Sequence, residues 1–272
     1  MRELPVVDIS SSDLGLAARE FGCFYLRYSL TADAVGLARS FFDLPFAEKR
    51  ALAIERSAHF RGYSEMRNER DWREQIHFGR EEVAGERLRG PNLWPADLAW
   101  KAGVLGLMGE LESVGRAVLG RLGAFMPDDE QAYLLLKMIH YPASVARAGV
   151  AAHVDFSWIT LLAQDETGGL EICTPAGEWL SAPFVPGTLL VNLGEILQFA
   201  TGGYFQATPH RVTTGALSRV SLPFFLNPSL DRVVAPGPGG EHVHRVLQTA
   251  PLHFGEEEWK RKGLGIWCAS CC

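Results

Sequence analysis

The second half of the chain constrains the fold most, because it is a series of short apolar segments separated by glycine and proline. Between about residue 133 and about residue 254, segments such as ITLLAQ, TLLVNLG and RVSLPFFLN alternate with turn-forming residues. Segments of this length and spacing are typical of antiparallel strands in a sandwich or barrel. We therefore predict a mainly β core over residues 133–254, with hairpin-type turns at Gly168-Gly169 and at Thr174 to Gly177.

Residues 1–132 have a different pattern, which predicts a mainly helical N-terminal part. Apolar residues recur at helical spacing from Asp97 to Met126, so we predict a long amphipathic helix that Pro127 ends. The stretch from Glu55 to Arg89 is polar and charged, and a solvated face is expected there for three of its residues: Arg73, Glu74 and His77. The helices are expected to pack on the outside of one sheet, which makes residues 1–272 a single α+β domain. Residues 255–272 are predicted to be a C-terminal helix and tail.

Composition excludes several classes of protein. The 272 residues are 47% hydrophobic and 21% charged, with a net charge of −6, which is typical of a globular protein in water. The sequence has no basic block of the kind that would indicate a nucleic-acid partner. It also has no apolar run that approaches the roughly 18–20 residues of a membrane span. The N-terminus lacks the apolar region of a signal peptide, so a cytoplasmic location is predicted.

The five cysteines fit a reducing compartment. Cys23 and Cys173 are isolated in apolar contexts, which predicts buried thiols. Cys268, Cys271 and Cys272 crowd the last five positions, where a zinc site would need a fourth ligand and a folded loop. We predict a loose, reduced tail.

The segment from Gly149 to Leu170 contains a His-x-Asp pair inside an apolar, β-leaning run. Residues two apart on a strand point to the same face, so His153 and Asp155 are expected to reach one ion. The third ligand is expected to be His210 in TPHRV, for which a structural histidine beside Pro209 is the alternative. Two imidazoles and one carboxylate that leave coordination positions open indicate a non-haem Fe(II) oxygenase.

A second pair of residues predicts a receptor for a carboxylate. Arg219 and Ser221 in RVSLPFF are two apart on a predicted strand whose opposite face is apolar. A guanidinium and a hydroxyl on one face suit a carboxylate, and a buried arginine is costly unless an anion neutralises it. Tyr141 in IHYP could add its hydroxyl to the same anion, although core packing explains this residue equally well.

These motifs, with others in both halves of the chain, resemble one family. The matching segments are LPVVDIS, FFDLPFAEKRAL, FRGYSEM, DWREQIHFG, GPNLWP, HVDFSWITLLAQDETGGLEI, VNLGEILQFATGGYFQATPHRV and RVSLPFF. Together they resemble the isopenicillin N synthase-like branch of the Fe(II)/2-oxoglutarate-dependent dioxygenases. The resemblance covers nearly the whole chain.

The resemblance implies a double-stranded β-helix, or jelly-roll, flanked by helices. It implies that Fe(II) is bound by His153, Asp155 and His210, and that 2-oxoglutarate is bound by Arg219, Ser221 and Tyr141. The implied reaction uses O2, converts 2-oxoglutarate to succinate and CO2, and hydroxylates, desaturates or cyclises a small molecule, such as an amino acid or a natural-product intermediate. A carboxylate at Asp155 argues against a halogenase, in which chloride occupies that coordination position.

Departures from the family pattern concern the substrate pocket, and they lie at Leu26 to Leu30, at Ile139 and at Gly194-Glu195. Candidate substrate residues are Arg61, Phe156, Trp158 and Asn227. For Arg61 the resemblance to isopenicillin N synthase suggests contact with a substrate carboxylate, and a salt bridge with a nearby acid is the alternative. For the two aromatic residues, pocket lining and core packing are both open, and Asn227 is expected near the mouth.

Two other functions fit the same residues. An oxidase of the isopenicillin N synthase type takes no 2-oxoglutarate, and its own substrate carboxylate would occupy the Arg219 site. A catalytically silent jelly-roll that binds a small acid would need no metal, and the intact metal set speaks against it. No residue pattern identifies a protein partner.

Overall fold

The computed structural model describes residues 3–83, 85, 88–123, 131–144, 147–237 and 252–262. The strands are β1 Val6–Val7, β2 Cys23–Arg27, β3 Gly62–Arg67, β4 Trp72–Gly79, β5 Ala132–Tyr141, β6 Arg147–His153, β7 Ile159–Gln164, β8 Leu170–Cys173, β9 Trp179–Ser181, β10 Thr188–Leu193, β11 His210–Thr214, β12 Arg219–Ser229, β13 Val233–Val234 and β14 Leu252–His253. The helices are α1 Asp13–Phe21, α2 Ala34–Phe42, α3 Phe46–Ala51, α4 Leu98–Leu122, α5 Glu195–Ala200 and α6 Phe254–Lys262, with a 3₁₀ turn at Ile54–Arg56.

Two sheets pack face to face and confirm the predicted jelly-roll. The larger sheet has the strand order β1-β2-β10-β7-β12-β5-β4-β3, and the smaller has the order β6-β11-β8-β9. Except for the parallel pair β1 and β2, neighbouring strands in both sheets are antiparallel. An apolar cluster from both sheets fills part of the space between them, and a cavity occupies the rest.

The longest strand, β12, shows how the larger sheet divides its two faces. Its odd-numbered residues line the cavity, and they are Arg219, Ser221, Pro223, Phe225 and Asn227. Its even-numbered residues join the main hydrophobic core on the other face, and they are Val220, Leu222, Phe224 and Leu226. Side chains alternate along a strand, so one sequence can supply a polar site and an apolar core. The outer face packs against α2 and α4, as predicted for the front helices.

Helix α4 begins where the sequence predicts but ends earlier. The Asp97 carboxylate caps it by accepting hydrogen bonds from the backbone N–H groups of Ala99 and Trp100, at 2.9 and 3.0 Å. The helix ends at Leu122 because Gly123 adopts a φ of 111°, which breaks the helical backbone. The predicted end at Met126 is therefore wrong by four residues, and residues 124–130 lie outside the described ranges.

The prediction of a solvated face between Glu55 and Arg89 is wrong. Strands β3 and β4 extend the larger sheet here, and Arg73, Glu74 and His77 are at most 5% exposed. The prediction failed because it placed charged residues in solvent, whereas these charges are buried and partly neutralised. The Arg73 guanidinium, for example, lies 3.2 Å from the Asp71 carboxylate. In the described part of residues 1–131, four strands accompany four helices, so this part is less helical than predicted.

The two predicted hairpins have different outcomes. Thr174 to Gly177 does connect the antiparallel neighbours β8 and β9, and the Gly177 N–H donates to the Thr174 carbonyl at 2.8 Å. Gly168-Gly169 does not form a hairpin, because β7 lies in the larger sheet and β8 in the smaller. Both glycines have a positive φ, of 82° and 89°, and the turn carries the chain from one sheet to the other.

The predictions for the cysteines and for the C-terminal helix have different outcomes. Cys23 is a buried thiol and Cys173 is half-buried, whereas Cys268, Cys271 and Cys272 lie outside the described residues. The predicted C-terminal helix is present as α6. None of the described helices is both long and apolar enough to cross a lipid bilayer.

A buried ion-pair network ties α3 to the edge of the larger sheet. The Glu74 carboxylate accepts hydrogen bonds from Lys49 Nζ at 2.8 Å and from the Tyr63 hydroxyl at 2.6 Å, and His140 Nδ1 lies 2.8 Å away. Burial alone would raise the pKa of Glu74, but these three groups outweigh it and lower the pKa to about 2. Glu74 is therefore ionised at neutral pH.

We expect Glu74→Gln to lower the free energy of unfolding by about 3 kcal/mol at neutral pH, because it leaves the Lys49 ammonium buried without its carboxylate. Glu74 has a lower pKa in the folded protein than its ordinary 4.5, so its contribution is complete above that pH and fades as pH falls toward 2. Urea unfolding at several pH values should show the difference between the two proteins shrinking with acidity. Glu48→Gln on the exposed side of α3 is the control, with a cost below about 1 kcal/mol. A difference that stays constant with pH would contradict the role given to this carboxylate.

Candidate active site

The three predicted ligand residues meet at one point of the cavity. The Asp155 Oδ1 atom lies 3.7 Å from His153 Nε2 and 3.6 Å from His210 Nε2. The three ligand atoms all lie within 4.8 Å of one another, and the imidazole centroids are 4.2 Å apart. Ligands about 2 Å from a shared ion have this order of separation, so the set could hold a divalent metal.

The two histidines come together through the pairing of the smaller sheet. His153 is the last residue of β6, His210 is the first of β11, and the two are opposite each other in the antiparallel register. Asp155 lies beyond the end of β6, so the premise that it shares a strand face with His153 is wrong. Its backbone is held instead by the Glu195 N–H, which donates to the Asp155 carbonyl at 2.8 Å.

Backbone carbonyls orient both imidazoles. The His153 Nδ1–H donates to the Ala151 carbonyl at 2.9 Å, and the His210 Nδ1–H donates to the Thr208 carbonyl at 3.1 Å. We assign these tautomers from the hydrogen bonds. Each ring then presents an Nε2 lone pair toward Asp155, which is the arrangement that metal-binding histidines need.

Side chains orient the carboxylate. Asp155 Oδ2 accepts hydrogen bonds from the Thr160 hydroxyl at 2.7 Å and from the Asn192 amide at 3.2 Å, so Oδ1 faces the two imidazoles. The Asn192 carbonyl in turn accepts from the Thr208 hydroxyl. Thr160 and Asn192 were not predicted as site residues. Both line the cavity, Thr160 from β7 and Asn192 from β10. They lie opposite each other because these two strands, which are far apart in the sequence, pair in the larger sheet.

Electrostatics favour the protonation states that a metal requires. Burial lowers the pKa of His153 to about 3, and the neighbouring His210 lowers it further than Asp155 raises it. Burial would raise the pKa of Asp155, but the two imidazoles and the hydrogen bonds from Thr160 and Asn192 outweigh it and lower the pKa. At neutral pH the site therefore holds a carboxylate beside a neutral His153 imidazole.

The predicted carboxylate receptor lies in the same cavity. Arg219 and Ser221 are each 2% exposed and point inward from β12. Arg219 Nη2 donates to Gln164 Oε1 at 2.9 Å, whereas its Nε and Nη1 atoms have no hydrogen-bond partner among the described residues. Burial lowers the pKa of this arginine. A buried guanidinium that contacts a neutral amide is suited to the carboxylate of a ligand.

The ring of Tyr141 packs against the guanidinium of Arg219. It is opposite Arg219 in the pairing of β5 and β12, and the guanidinium carbon lies 5.1 Å from the ring centroid. Gly149 makes room for the ring, because a Cβ atom at position 149 would lie 2.8 Å from Tyr141 Cδ1. Gln164, which accepts the hydrogen bond from Arg219, was not predicted as a site residue. It lies opposite Ser221 because β7 pairs with β12.

Comparisons with known proteins agree with this geometry. Residues 130–228 match the 2OG-Fe(II) oxygenase superfamily, and residues 4–97 match the N-terminal family described as non-haem dioxygenase in morphine synthesis. Kihadalactone A synthase LFS of Citrus sinensis is 33% identical over 272 residues, covering 85% of this chain and 80% of that protein. The chain belongs to the 2OG-Fe(II) oxygenase superfamily.

Two further comparisons extend the similarity. The sexual differentiation process protein isp7 of Schizosaccharomyces pombe is 31% identical over 222 residues, which cover 76% of this chain and 54% of that longer protein. The crystal structure of a 2OG-Fe(II) oxygenase family protein from Caulobacter crescentus superposes with a TM-score of 0.80 at 27% identity, covering 96% of this chain and 98% of that one. Fe(II) and 2-oxoglutarate serve this family together with O2, so an oxidase that takes no 2-oxoglutarate is not favoured.

The predicted substrate residues separate into two groups. Phe156 and Asn227 line the cavity of this oxygenase. Trp158 packs in the main core, and Arg61 is buried away from the cavity lining. The salt bridge predicted as the alternative for Arg61 is not found among the described residues, because its guanidinium donates to the His59 and Leu88 carbonyls and to the Tyr133 hydroxyl, at 2.9–3.2 Å. Contact of Arg61 with a substrate carboxylate stays a prediction.

We expect Thr160→Val to weaken Fe(II) binding about 10- to 100-fold, because Asp155 loses the hydrogen bond that orients it. Equilibrium dialysis under nitrogen would measure the Kd for Fe(II). Thr188→Val is the matched control, since it removes a hydroxyl that contacts only the Val185 carbonyl at 2.8 Å among the hydrogen bonds described. If both variants bind Fe(II) as the natural protein does, Thr160 has no part in holding the carboxylate.

Proposed function

We propose that this oxygenase binds Fe(II) through His153, Asp155 and His210, and binds the far carboxylate of 2-oxoglutarate through Arg219, Ser221 and Tyr141. The observation that carries the proposal is that a two-histidine, one-carboxylate set faces the same cavity as a buried guanidinium, two of whose nitrogens have no partner among the described residues. A metal set alone would suit many enzymes, whereas the nearby cationic receptor suits a co-substrate that carries a carboxylate.

The donor set fits ferrous iron. Two imidazole nitrogens and one carboxylate oxygen occupy one side of an ion and leave positions for a co-substrate and O2. When bound, Fe(II) supplies the redox chemistry in which 2-oxoglutarate and O2 are converted to succinate and CO2 while a substrate is oxidised.

The protein contributes position, charge and exclusion of water. Arg219 neutralises a carboxylate in a buried setting, where the attraction is much stronger than in water. Leu162, Leu170, Ile172 and Leu190 line the cavity between the receptor and the metal ligands, so the co-substrate would lie in an apolar channel. The substrate is then oxidised away from bulk water, which favours reaction with the substrate over side reactions.

The remaining predictions about the protein follow from this assignment. We propose that residues 1–272 act as one oxygenase domain and that its substrate is a small molecule rather than a nucleic acid or a membrane. The cytoplasmic location stays a prediction, supported by the half-buried Cys173, which forms no disulfide with another described residue.

The Fe(II)-loaded protein should release succinate from 2-oxoglutarate under air, slowly when alone and faster with its substrate. Succinate measured by chromatography against an iron-free sample would test this. A protein that binds iron but releases no succinate with any compound would contradict the proposed function.

We expect Arg219→Ala to raise the KM for 2-oxoglutarate about 10- to 100-fold, because the co-substrate loses charge-assisted hydrogen bonds. The Kd for Fe(II) should change less than about threefold, since the guanidinium does not belong to the metal set. Arg211→Ala is the control: Arg211 is a half-exposed arginine whose guanidinium pairs with Glu171 at 2.8 Å. An unchanged KM in the Arg219 variant would place the carboxylate receptor elsewhere.

We expect Asp155→Ala to abolish both Fe(II) binding and succinate release, because the two imidazoles lose the only anion of the set. Circular dichroism and the Tm of the metal-free protein would show whether the fold is retained. A folded variant that still released succinate at the natural rate would remove Asp155 from the metal site.

A further inference from the structure

The loop that carries Asp155 is held by α5. We call residues 155–158 the ligand loop. The Glu195 N–H, at the start of α5, donates to the Asp155 carbonyl at 2.8 Å. Gly194 allows α5 to approach this closely, because a Cβ atom at position 194 would clash with the Ser157 carbonyl oxygen. The backbone position of Asp155 therefore depends on the position of α5.

Helix α6 holds the ligand loop at a second residue, Phe156. Phe254 and Arg261 are seven residues apart on α6, which is about two helical turns, so both side chains project from one face of the helix about 10.5 Å apart. The Phe156 ring contacts both of them. It stacks on the Phe254 ring with centroids 5.5 Å apart and an angle of 13° between the planes, and the Arg261 guanidinium carbon lies 4.2 Å from its centroid. The ring is therefore held at two points of α6.

The start of α6 is fixed to the chain beyond β12. The Phe254 N–H donates to the Arg232 carbonyl at 2.9 Å, and the Gly255 N–H donates to the Leu230 carbonyl at 3.0 Å. The Phe254 side chain is fully buried in the main core. Because the helix is anchored at its first turn, its direction sets the position of Arg261 two turns later.

Arg261 also contacts α5. Its Nη1 atom lies 3.5 Å from Glu195 Oε2, and the Glu195 side chain is 4% exposed. A buried carboxylate is costly unless it is paired and hydrogen-bonded, and Arg261 supplies a positive charge there. Glu195 is also one of the positions at which the sequence departs from the family pattern. One guanidinium thus contacts Phe156 of the ligand loop and the residue whose N–H holds Asp155.

We propose that Arg261 is a positioning residue, which holds Asp155 in place for metal binding by fixing the ligand loop. It acts by two routes, through the Phe156 ring and through the Glu195 carboxylate. The last described helix then contributes to the metal site without supplying a ligand. The inference rests on the proposed function, because it takes Asp155 to be a ligand of Fe(II).

The side chain and the backbone of Asp155 are held by different parts of the protein. Thr160 and Asn192 orient its carboxylate from β7 and β10. The contacts of α5 and α6 instead set its backbone, so loss of Arg261 would displace the carboxylate from the imidazoles. The 2-oxoglutarate receptor would stay in place, because Arg219 begins β12 and α6 is joined to the chain beyond the opposite end of that strand. Metal binding and 2-oxoglutarate binding should therefore respond differently.

Replacement of Arg261 would test the proposal. Arg261→Met keeps a long apolar side chain beside Phe156 and removes the guanidinium. We expect it to raise the Kd for Fe(II), measured by equilibrium dialysis under nitrogen, at least threefold. The effect should be smaller than the roughly 10- to 100-fold cost of removing a direct partner of a metal ligand, because Arg261 acts through other groups. The Kd for 2-oxoglutarate of the Co(II)-loaded protein, measured by calorimetry, should stay within twofold.

Co(II) provides a readout that a loss of stability alone would not change. The visible absorption of bound Co(II) depends on the number and geometry of its ligands, so a displaced Asp155 carboxylate should change the spectrum of the Co(II)-loaded protein. The Tm of each metal-free variant would show that it is folded. If Arg261→Met did not fold, Arg261→Gln would take its place with the same expected results.

Two further variants separate the role of Arg261 from a general effect of charge on α6. Lys260→Met removes a cation from the exposed face of the same helix, where Lys260 pairs with Glu257 at 2.7 Å. Its Kd for Fe(II) and its Co(II) spectrum should equal those of the natural protein. Arg261→Lys keeps a cation that can face the Phe156 ring and the Glu195 carboxylate. We expect it to restore at least half of the loss in Fe(II) affinity on a logarithmic scale.

The outcomes separate this inference from the proposed function. An Arg261→Met protein that binds Fe(II) within threefold of the natural protein, or whose Co(II) spectrum is unchanged, would overturn the inference alone. The same holds for an equal loss in Lys260→Met, for less than half of the loss restored by Arg261→Lys, or for a change of more than twofold in 2-oxoglutarate binding. A natural protein that does not bind Fe(II), or that binds it equally well after Asp155→Ala, would instead contradict the proposed function.

Discussion

The antiparallel pairing of β6 with β11 is the constraint on which the active site depends. It places His153 opposite His210 at the ends of two strands, and no local feature of either sequence segment could bring the rings to a centroid distance of 4.2 Å. The carboxylate is then fixed by groups from the other sheet, Thr160 and Asn192, whose hydrogen bonds turn one oxygen toward the imidazoles. The metal set is therefore a product of the closed sandwich, since each sheet supplies part of it.

Alternation along the strands of the larger sheet explains how the site coexists with a stable core. The outward-facing residues of β5, β7 and β12 are apolar and are covered by α2 and α4, whose burial supplies the main hydrophobic stabilisation. Gly115 allows α4 to approach closely, because a Cβ atom there would lie 3.0 Å from Leu226. The inward-facing positions lie outside this main core and form part of the smaller apolar cluster between the sheets, and they carry the arginine, serine and tyrosine of the proposed receptor.

Periodicity predicted the elements whose burial is simple. The segment ITLLAQ coincides with β7, and the Asp97 cap marks the start of α4. Periodicity failed where charges are buried, as on β4, because a strand with polar residues on both faces resembles a solvated segment until its partners are known. It also failed for α5, a helix of six residues that follows β10 without a side-chain cap.

The candidate site shows the same division between local and long-range information. Residue spacing predicted that Arg219 and Ser221 share a face, and the structure confirms it. The same reasoning succeeded for His153 and Asp155 on a wrong premise, since Asp155 is not on the strand. Arg61 could not have been placed from sequence, because two of the neutral oxygen acceptors of its guanidinium, the Leu88 carbonyl and the Tyr133 hydroxyl, are far from it in the chain.

The position of α6 has a consequence for how this enzyme could diversify. The proposed metal and co-substrate residues all lie between Tyr141 and Ser221, whereas the wall formed by Glu258, Arg261 and Lys262 comes from the last helix described. The residues proposed to hold the metal and the co-substrate and this wall of the cavity are thus encoded in separate stretches of the gene. Exchange of α6 around a retained Arg261 would change this wall of the cavity and leave the residues of the proposed reaction centre in place.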